Sequence, residues 1–319
     1  MGVIPSSETN SQSVVVLNTR SSSACRSFKL NALFSDGMIL QTGSAAVYGT
    51  GAPGEAVTVA RAFPSGTSDR FSGAADATGL FLVRLPDPAA GEATNNITLT
   101  VTSAATTVRI EDVAYGDVLV CSGQSNMFLP VSGTFAANET MASSWPNIRL
   151  FAVTTGWAAE EQADFPPPYN RTTGVGSCGA YQPNNKQRCL TWQPATLPTV
   201  IGAFSATCFY TAINLAARLP PDSVFGLVHS SYVGTDMQTW SPPEAIAACK
   251  LPPADAQGGS IAPSEEYGGP GPTPIPTNFS SLWNAMIHPI VHYGIRGVLW
   301  NQVRRVRRAF FVCAMRTLS

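Results

Sequence analysis

The sequence predicts an α/β protein: a parallel sheet with helices on both faces, preceded by a small antiparallel β-sandwich. Two observations carry this. Between about 42 and 112, short runs of alternating polarity are separated by Gly, Pro and Asn clusters, the spacing of an antiparallel sandwich. From Val118 onward, short apolar runs are instead separated by helical segments, as in a parallel sheet covered on both sides.

The elements follow in order. Residues 1–33 form a polar, Ser-rich opening, in which Ser13-Val-Val-Val-Leu17 is too short for a signal-peptide core. The β-rich part, 34–112, takes its strands from Ala45–Tyr48, Ala56–Ala60, Leu80–Arg84, Ile97–Thr102 and Thr107–Ile110. The second part, 113–302, begins with an apolar strand running into a small polar turn. Residues 156–198 read as a long loop near the mouth of a site, because they are rich in Pro, Gly and Asn without clear periodicity. Ser205 is a plausible N-cap for a helix that puts Cys208, Ala212, Leu215, Ala216 and Leu219 on one face and stops at Pro220-Pro221. Val224–Val228 is the next buried strand, and Ile295–Trp300 an interior parallel strand. The last segment, 303–319, is a basic tail.

Composition excludes several classes. A net charge of −1 gives no electrostatic footprint for nucleic acid, and no apolar run approaches the roughly 18–20 residues needed to span a bilayer. Seven cysteines without a Cys-x-x-Cys pair argue against zinc, and no metal or organic cofactor is expected. Cys178 and Cys189 bracket a loop that a bridge would close in an oxidising compartment; Cys121 and Cys208 read as small buried hydrophobes on a strand and a helix. Sequons at Asn96, Asn138, Asn170 and Asn278 tilt slightly towards a secretory route.

The most informative stretch is Gly116-Asp-Val-Leu-Val-Cys-Ser-Gly-Gln-Ser-Asn-Met127. A serine at the carboxyl end of a buried strand, where the chain turns into a helix, exposes its hydroxyl and directs its backbone N–H at a developing oxyanion. Ser125 holds that place. The same kind of turn also serves merely to link a strand to a helix.

This block resembles the nucleophile block of the sialate O-acetylesterase family, serine esterases of the SGNH hydrolase class. Five further segments are similar to the family in the expected order: Phe34-Ser-Asp-Gly-Met-Ile-Leu-Gln41, Phe204-Ser-Ala206, Gly226-Leu-Val-His-Ser-Ser-Tyr-Val-Gly-Thr235, Leu282-Trp-Asn-Ala-Met-Ile-His-Pro289 and Gly297-Val-Leu-Trp-Asn-Gln302. The resemblance implies an SGNH-type fold and removal of O-acetyl groups from sialic acid or related sugars through an acyl-Ser125 intermediate. It implies an oxyanion hole of the Ser125 N–H, the Gly234 N–H and the Gln302 side-chain amide. Trp240 and Trp283 are candidates for the walls of a sugar pocket, although large aromatics beside such sheets are more often core. A secreted or lysosomal location is suggested by the family and the sequons alone.

The general base is the gap. The class draws it from an Asp-x-x-His motif, and none occurs in this sequence. Where the family continues Gln-Gly-Glu, this chain reads Gln302-Val-Arg304. His229, His288 and His292 are the three histidines, each expected to be satisfied or solvated and not catalytic. Impaired activity is therefore expected, and a catalytically silent, carbohydrate-binding or regulatory isoform is the alternative. A truncated or frame-altered record is a further expectation, because likeness to the family stops inside a motif and only nineteen residues, five of them arginine, follow Trp300.

Overall fold

The computed structural model describes residues 27–104, 106–166, 190–249 and 279–302. The first strands are β1 (Lys29–Leu30), β2 (Ile39–Gln41), β3 (Ala46–Thr50), β4 (Ala56–Ala62), β5 (Ser68–Ala74), β6 (Leu80–Arg84) and β7 (Ile97–Thr102). They lead into β8 (Thr107–Gly123), the long strand around which the molecule is organised. Strands β1, β3 and β6 make a small sheet, while β5, β4 and β7 continue antiparallel onto the amino-terminal half of β8. In β4 the pleat turns Val57, Val59 and Arg61 inward and leaves the alternate positions half-buried or exposed, which is why this run is legible as a strand. Strand β5, Ser-Asp-Arg-Phe-Ser-Gly-Ala, has no apolar alternation and was not among the strands expected. It lies at the end of its sheet, where an edge strand needs little hydrophobic surface.

Past Ala114 the same strand changes partners. Its carboxyl-terminal half lies parallel between β11 (Phe225–Ser231) and β12 (Gly297–Asn301), with Val120 opposite both Val228 and Val298. Strand β9 (Trp145–Ala152) flanks β11 in parallel, and β10 (Gln193–Ala195), inside the segment read as a loop, adds an antiparallel edge. The change of pattern near residue 113 thus falls inside one strand.

Successive residues of β8 supply two cores. Val118 and Val120 join the core shared with the β layers, with Leu33, Tyr48 and Met286; Leu119 and Cys121 face the other way, towards Phe204, Phe209 and Ala212. Two-sided burial explains the unbroken apolar run. The second face is covered by α3 (Pro198–Ala203) and α4 (Ala206–Ala216), with α1 (Ser125–Phe128) and α2 (Ala137–Ala142) before them in sequence. The first face is covered in part by a π turn, Trp283–Ile287, and a 3-10 turn, His288–Ile290. Helix α5 (Pro243–Ala248) buries none of its residues.

Two expectations are corrected. Ser205 does cap α4, its hydroxyl accepting the Cys208 N–H, and Cys208 and Ala212 are fully buried. But α4 ends at Ala216, so Leu219 lies beyond the helix, and both Leu215, in its last turn, and Leu219 are exposed. Strand β12 is not an interior strand among the described residues: β8 is its partner, and Val298 and Trp300 remain exposed.

Candidate active site

The carboxyl ends of β11, β8 and β12 lie side by side, where open α/β sheets bind ligands. The turn after β8 is stitched to both neighbours. Gly123 has φ +132°, and a Cβ there would lie 2.2 Å from the Asn301 carbonyl, so only glycine allows β12 to come this close. The Gly123 carbonyl accepts the Tyr232 N–H at 3.2 Å, and the Gln124 N–H donates to the Asn301 carbonyl at 3.1 Å. Ser125 then opens the single turn of α1, half-buried.

That turn is seated from below. Met127 is fully buried, and the Ser205 hydroxyl lies 3.2 Å from its sulfur. The Ala206 N–H donates to the Leu129 carbonyl at 2.8 Å, joining the start of α4 to the end of α1. Most decisively, Cys121 and Cys208 form a disulfide between β8 and the first turn of α4. Both were read as buried hydrophobes; they are buried, but they are bonded, because β8 and α4 bring together residues 87 apart in sequence. The Cys178–Cys189 pair lies outside the described residues.

Gly234 sits in the turn after β11 with φ +73°. Its neighbour Thr235 is the hub of this side. The Thr235 hydroxyl donates to the Tyr232 carbonyl and accepts the Trp240 indole N–H, both at 2.9 Å, while the Thr235 carbonyl accepts the Gln302 side-chain N–H at 2.8 Å. Gln302 is therefore tied to the Gly234 turn, and its side-chain oxygen is buried with no partner among the described residues. The structure thus places Ser125, Gly234 and Gln302 at the ends of three adjacent strands.

The two tryptophans separate. Trp240 is buried under the Thr235 loop and meets the Trp300 ring edge-to-face at 5.8 Å. Trp283 belongs to another cluster, its indole N–H donating to Glu161, which also lies 3.4 Å from His288. His288 and His292 line a groove of about 320 Å³ together with Tyr48, Thr50, Thr78 and Glu161, and Ser125 is not part of it.

No imidazole is hydrogen-bonded to the Ser125 hydroxyl among the described residues. His229 is buried in β11 between the rings of Phe128 and Phe204, with Nε2 2.7 Å from the Ser231 hydroxyl and Nδ1 without a partner. Burial pushes its pKa down to about 4, so the ring is neutral at physiological pH. His288 Nδ1 is 2.8 Å from the Gln162 carbonyl, and His292 packs edge-on to Tyr48. Among the described residues no three His, Cys, Asp or Glu side chains converge as metal ligands, and no helix is long and apolar enough to cross a membrane.

Sequence reasoning passed over Tyr232 and Trp157. Tyr232 follows β11 directly, and Trp157 meets its ring edge-to-face at 6.5 Å. A Gly-Trp pair shortly after the apolar run Ile148–Val153 was the available signal.

A parallel sheet with a serine turn at its carboxyl edge, flanked by a glycine turn and a glutamine amide, defines an SGNH-hydrolase-like α/β protein. No family model matches the chain. It is 30% identical over 217 residues to the sialate O-acetylesterase of Rattus norvegicus, covering 61% of this chain and 36% of that protein. The Mus musculus sialate O-acetylesterase is 29% identical over 319 residues, covering 91% and 54% respectively. A carbohydrate acetylesterase from Xanthomonas citri has a similar structure, with a TM-score of 0.63 at 25% identity, covering 91% of this chain and 56% of that one. The chain is thus similar to sialate O-acetylesterases over part of their length and shares its fold with a carbohydrate acetylesterase. It spans between about a third and about half of the length of the curated relatives it matches.

Proposed function

We propose that this chain carries the nucleophile and oxyanion-hole side of a carbohydrate O-acetylesterase, with acetylated sugars, sialic acid or related, as its substrates. The observation that carries the reading is the convergence of Ser125, Gly234 and Gln302 on one sheet edge. In the reaction, Ser125 Oγ attacks the acetyl carbonyl, the sugar hydroxyl leaves, and water later releases acetate from the acyl-serine. Backbone N–H groups of Ser125 and Gly234 and the Gln302 amide would stabilise the tetrahedral oxyanion. One Gln302 amide N–H is held by the Thr235 carbonyl, which leaves the second N–H for the oxyanion.

Among the described residues no imidazole is placed to take the proton of Ser125. The sequence contains no Asp-x-x-His, and His229 is engaged with Ser231 in an apolar interior. We therefore expect slow acylation; loss of a triad base elsewhere leaves only about 10³–10⁴-fold over water. The test is p-nitrophenyl acetate turnover together with fluorophosphonate labelling. Weak turnover and labelling, both lost in Ser125→Ala, support the reading. Labelling and turnover that survive the substitution overturn it.

The missing imidazole at Ser125 also favours a second reading, a silent carbohydrate-binding form. Saturable glycan binding without any acylation of Ser125 would select it.

A further inference from the structure

We propose that Asn96 carries an N-linked glycan, laid over the outer face of the antiparallel β layer. The inference is independent of the esterase reading. It needs a chain that folds where oligosaccharides are transferred, and a folded surface that leaves room for one at this asparagine.

The disulfide meets the first need. Cys121 and Cys208 are fully buried and bonded to each other. Such bonds form and persist in the oxidising compartments through which exported chains pass, whereas cytosolic thiols work against them. Along that route the chain meets the enzyme that glycosylates Asn-x-Ser/Thr sequences. Of the four sequons, Asn170 and Asn278 lie outside the described residues, which leaves Asn96 and Asn138 to be compared.

Geometry favours Asn96. It is exposed, with φ +52°, in the turn just before β7, and asparagine tolerates this left-handed backbone better than most residues. The turn is anchored on both sides. The Tyr115 N–H donates to the Thr94 carbonyl at 2.7 Å, and the Glu92 carboxylate accepts the hydroxyls of Ser65 and Thr67 at 2.8 and 2.6 Å. Ile97 is fully buried, so the pleat turns Thr98, the hydroxyl residue of the sequon, to the outer face opposite exposed Ala62. On β4 and β7 that face continues with Ala60 opposite Thr100 and Thr58 opposite Thr102, small side chains that leave room for sugar. The edge strand β5 lies two strands away, at roughly 10 Å, and bulk held there opposes pairing of that edge with another chain.

Asn138 differs in its third residue. It is exposed in α2, but Thr140 is buried with its hydroxyl 3.2 Å from that of Tyr210, so docking of α2 closes the acceptor sequence. Thr98 stays half-buried after folding, and the Asn96 sequon stays open for longer. In the transfer, the Asn96 side-chain nitrogen displaces a lipid-linked pyrophosphate from the anomeric carbon of the first sugar. The N–C bond forms, the C–O bond to phosphate breaks, and the amide gives up one proton.

The experiment produces the full chain in insect cells with a secretory leader fused ahead of it, releases glycans with peptide N-glycosidase in oxygen-18 water, and maps the label by mass spectrometry. Transfer precedes export, so the map is read on retained and secreted chain alike. Most molecules should carry the label at position 96, and more than carry it at position 138. Thr98→Ala, which leaves Asn96 in its turn, should abolish the label there and remove one step of gel mobility; Asn96→Gln should do the same. Absence of label at position 96 overturns the inference, as does heavier labelling at position 138. Recovery of Cys121 and Cys208 as free thiols from a cooperatively melting chain removes the compartment argument and overturns it as well.

Discussion

The layers packed on the two halves of β8 differ in how they hold their buried polar groups. In the β layers, Arg61 is 1% exposed yet fully engaged: it pairs with Asp69 across the β4–β5 ladder, donates to the Tyr115 hydroxyl at 2.5 Å and to the Pro86 carbonyl at 2.7 Å, and lies over the Phe63 ring. Among the described residues, buried atoms without a partner number two in the β layers, Ser35 Oγ and Ser103 Oγ, whereas Ser122 Oγ, His229 Nδ1, Gln238 Oε1 and Gln302 Oε1 gather at the carboxyl half. A buried polar group without a partner costs about 1–3 kcal/mol, so such groups persist where structure serves a site and not only its own stability. The first region binds its buried cation, Arg61, on several sides. The second is held in place by covalent and helical supports and keeps unsatisfied capacity at its edge.

The largest expected effect tests those supports. Replacing both Cys121 and Cys208 with serine releases an 87-residue closure and should lower stability by about 4 kcal/mol, measured by denaturant unfolding. Hydrogen exchange should then rise first around α1 and α4 and leave β4 and β5 protected. Uniform loss of protection would mean that the two halves do not differ as described.

Arg61→Met probes the scaffold. It strands Asp69, the Tyr115 hydroxyl and the Pro86 carbonyl, and should cost about 3 kcal/mol. Fluorophosphonate reactivity of Ser125 in the still-folded variant should match the parent. A drop in reactivity would show that strain travels along β8 into the nucleophile turn.

A smaller effect is pH-dependent. Because the folded pKa of His229 is depressed to about 4 from the ordinary 6.5, its contribution is fully present above pH 6.5 and is lost as pH falls towards 4, where the unfolded chain binds the extra proton. By pH 5 the loss should reach about 2 kcal/mol, and His229→Asn should flatten that part of the stability–pH curve. An unaltered slope in the variant would remove His229 as its source.

The smallest is local. Ser205→Ala removes the hydroxyl that accepts the Cys208 N–H, and should cost about 1 kcal/mol in thermal melting without moving Ser125 reactivity by more than a small factor. A larger loss of reactivity would give the cap a role in seating α1 through Met127.

Residue order alone determined a good deal. The unbroken run Val118–Cys121 declares two-sided burial, the pleat of Ala56–Ala60 declares a one-sided strand, and the Ser-Gly-Gln-Ser turn marks where the chain leaves the sheet. These are local signals, set by side-chain periodicity and backbone sterics over a few residues. The tertiary structure decided what depends on which elements become neighbours. It bonded Cys121 to Cys208, buried Arg61 instead of leaving it solvated, and placed polar β5 at an edge. It also tied Gln302 to the Gly234 turn and set Trp157 beside Tyr232. The contacts around the site join residues whose separation along the chain carries no periodic trace, and they depend on the parallel order β11–β8–β12, while Arg61 and β5 depend on the antiparallel order β5–β4–β7–β8; only the folded sheet specifies either.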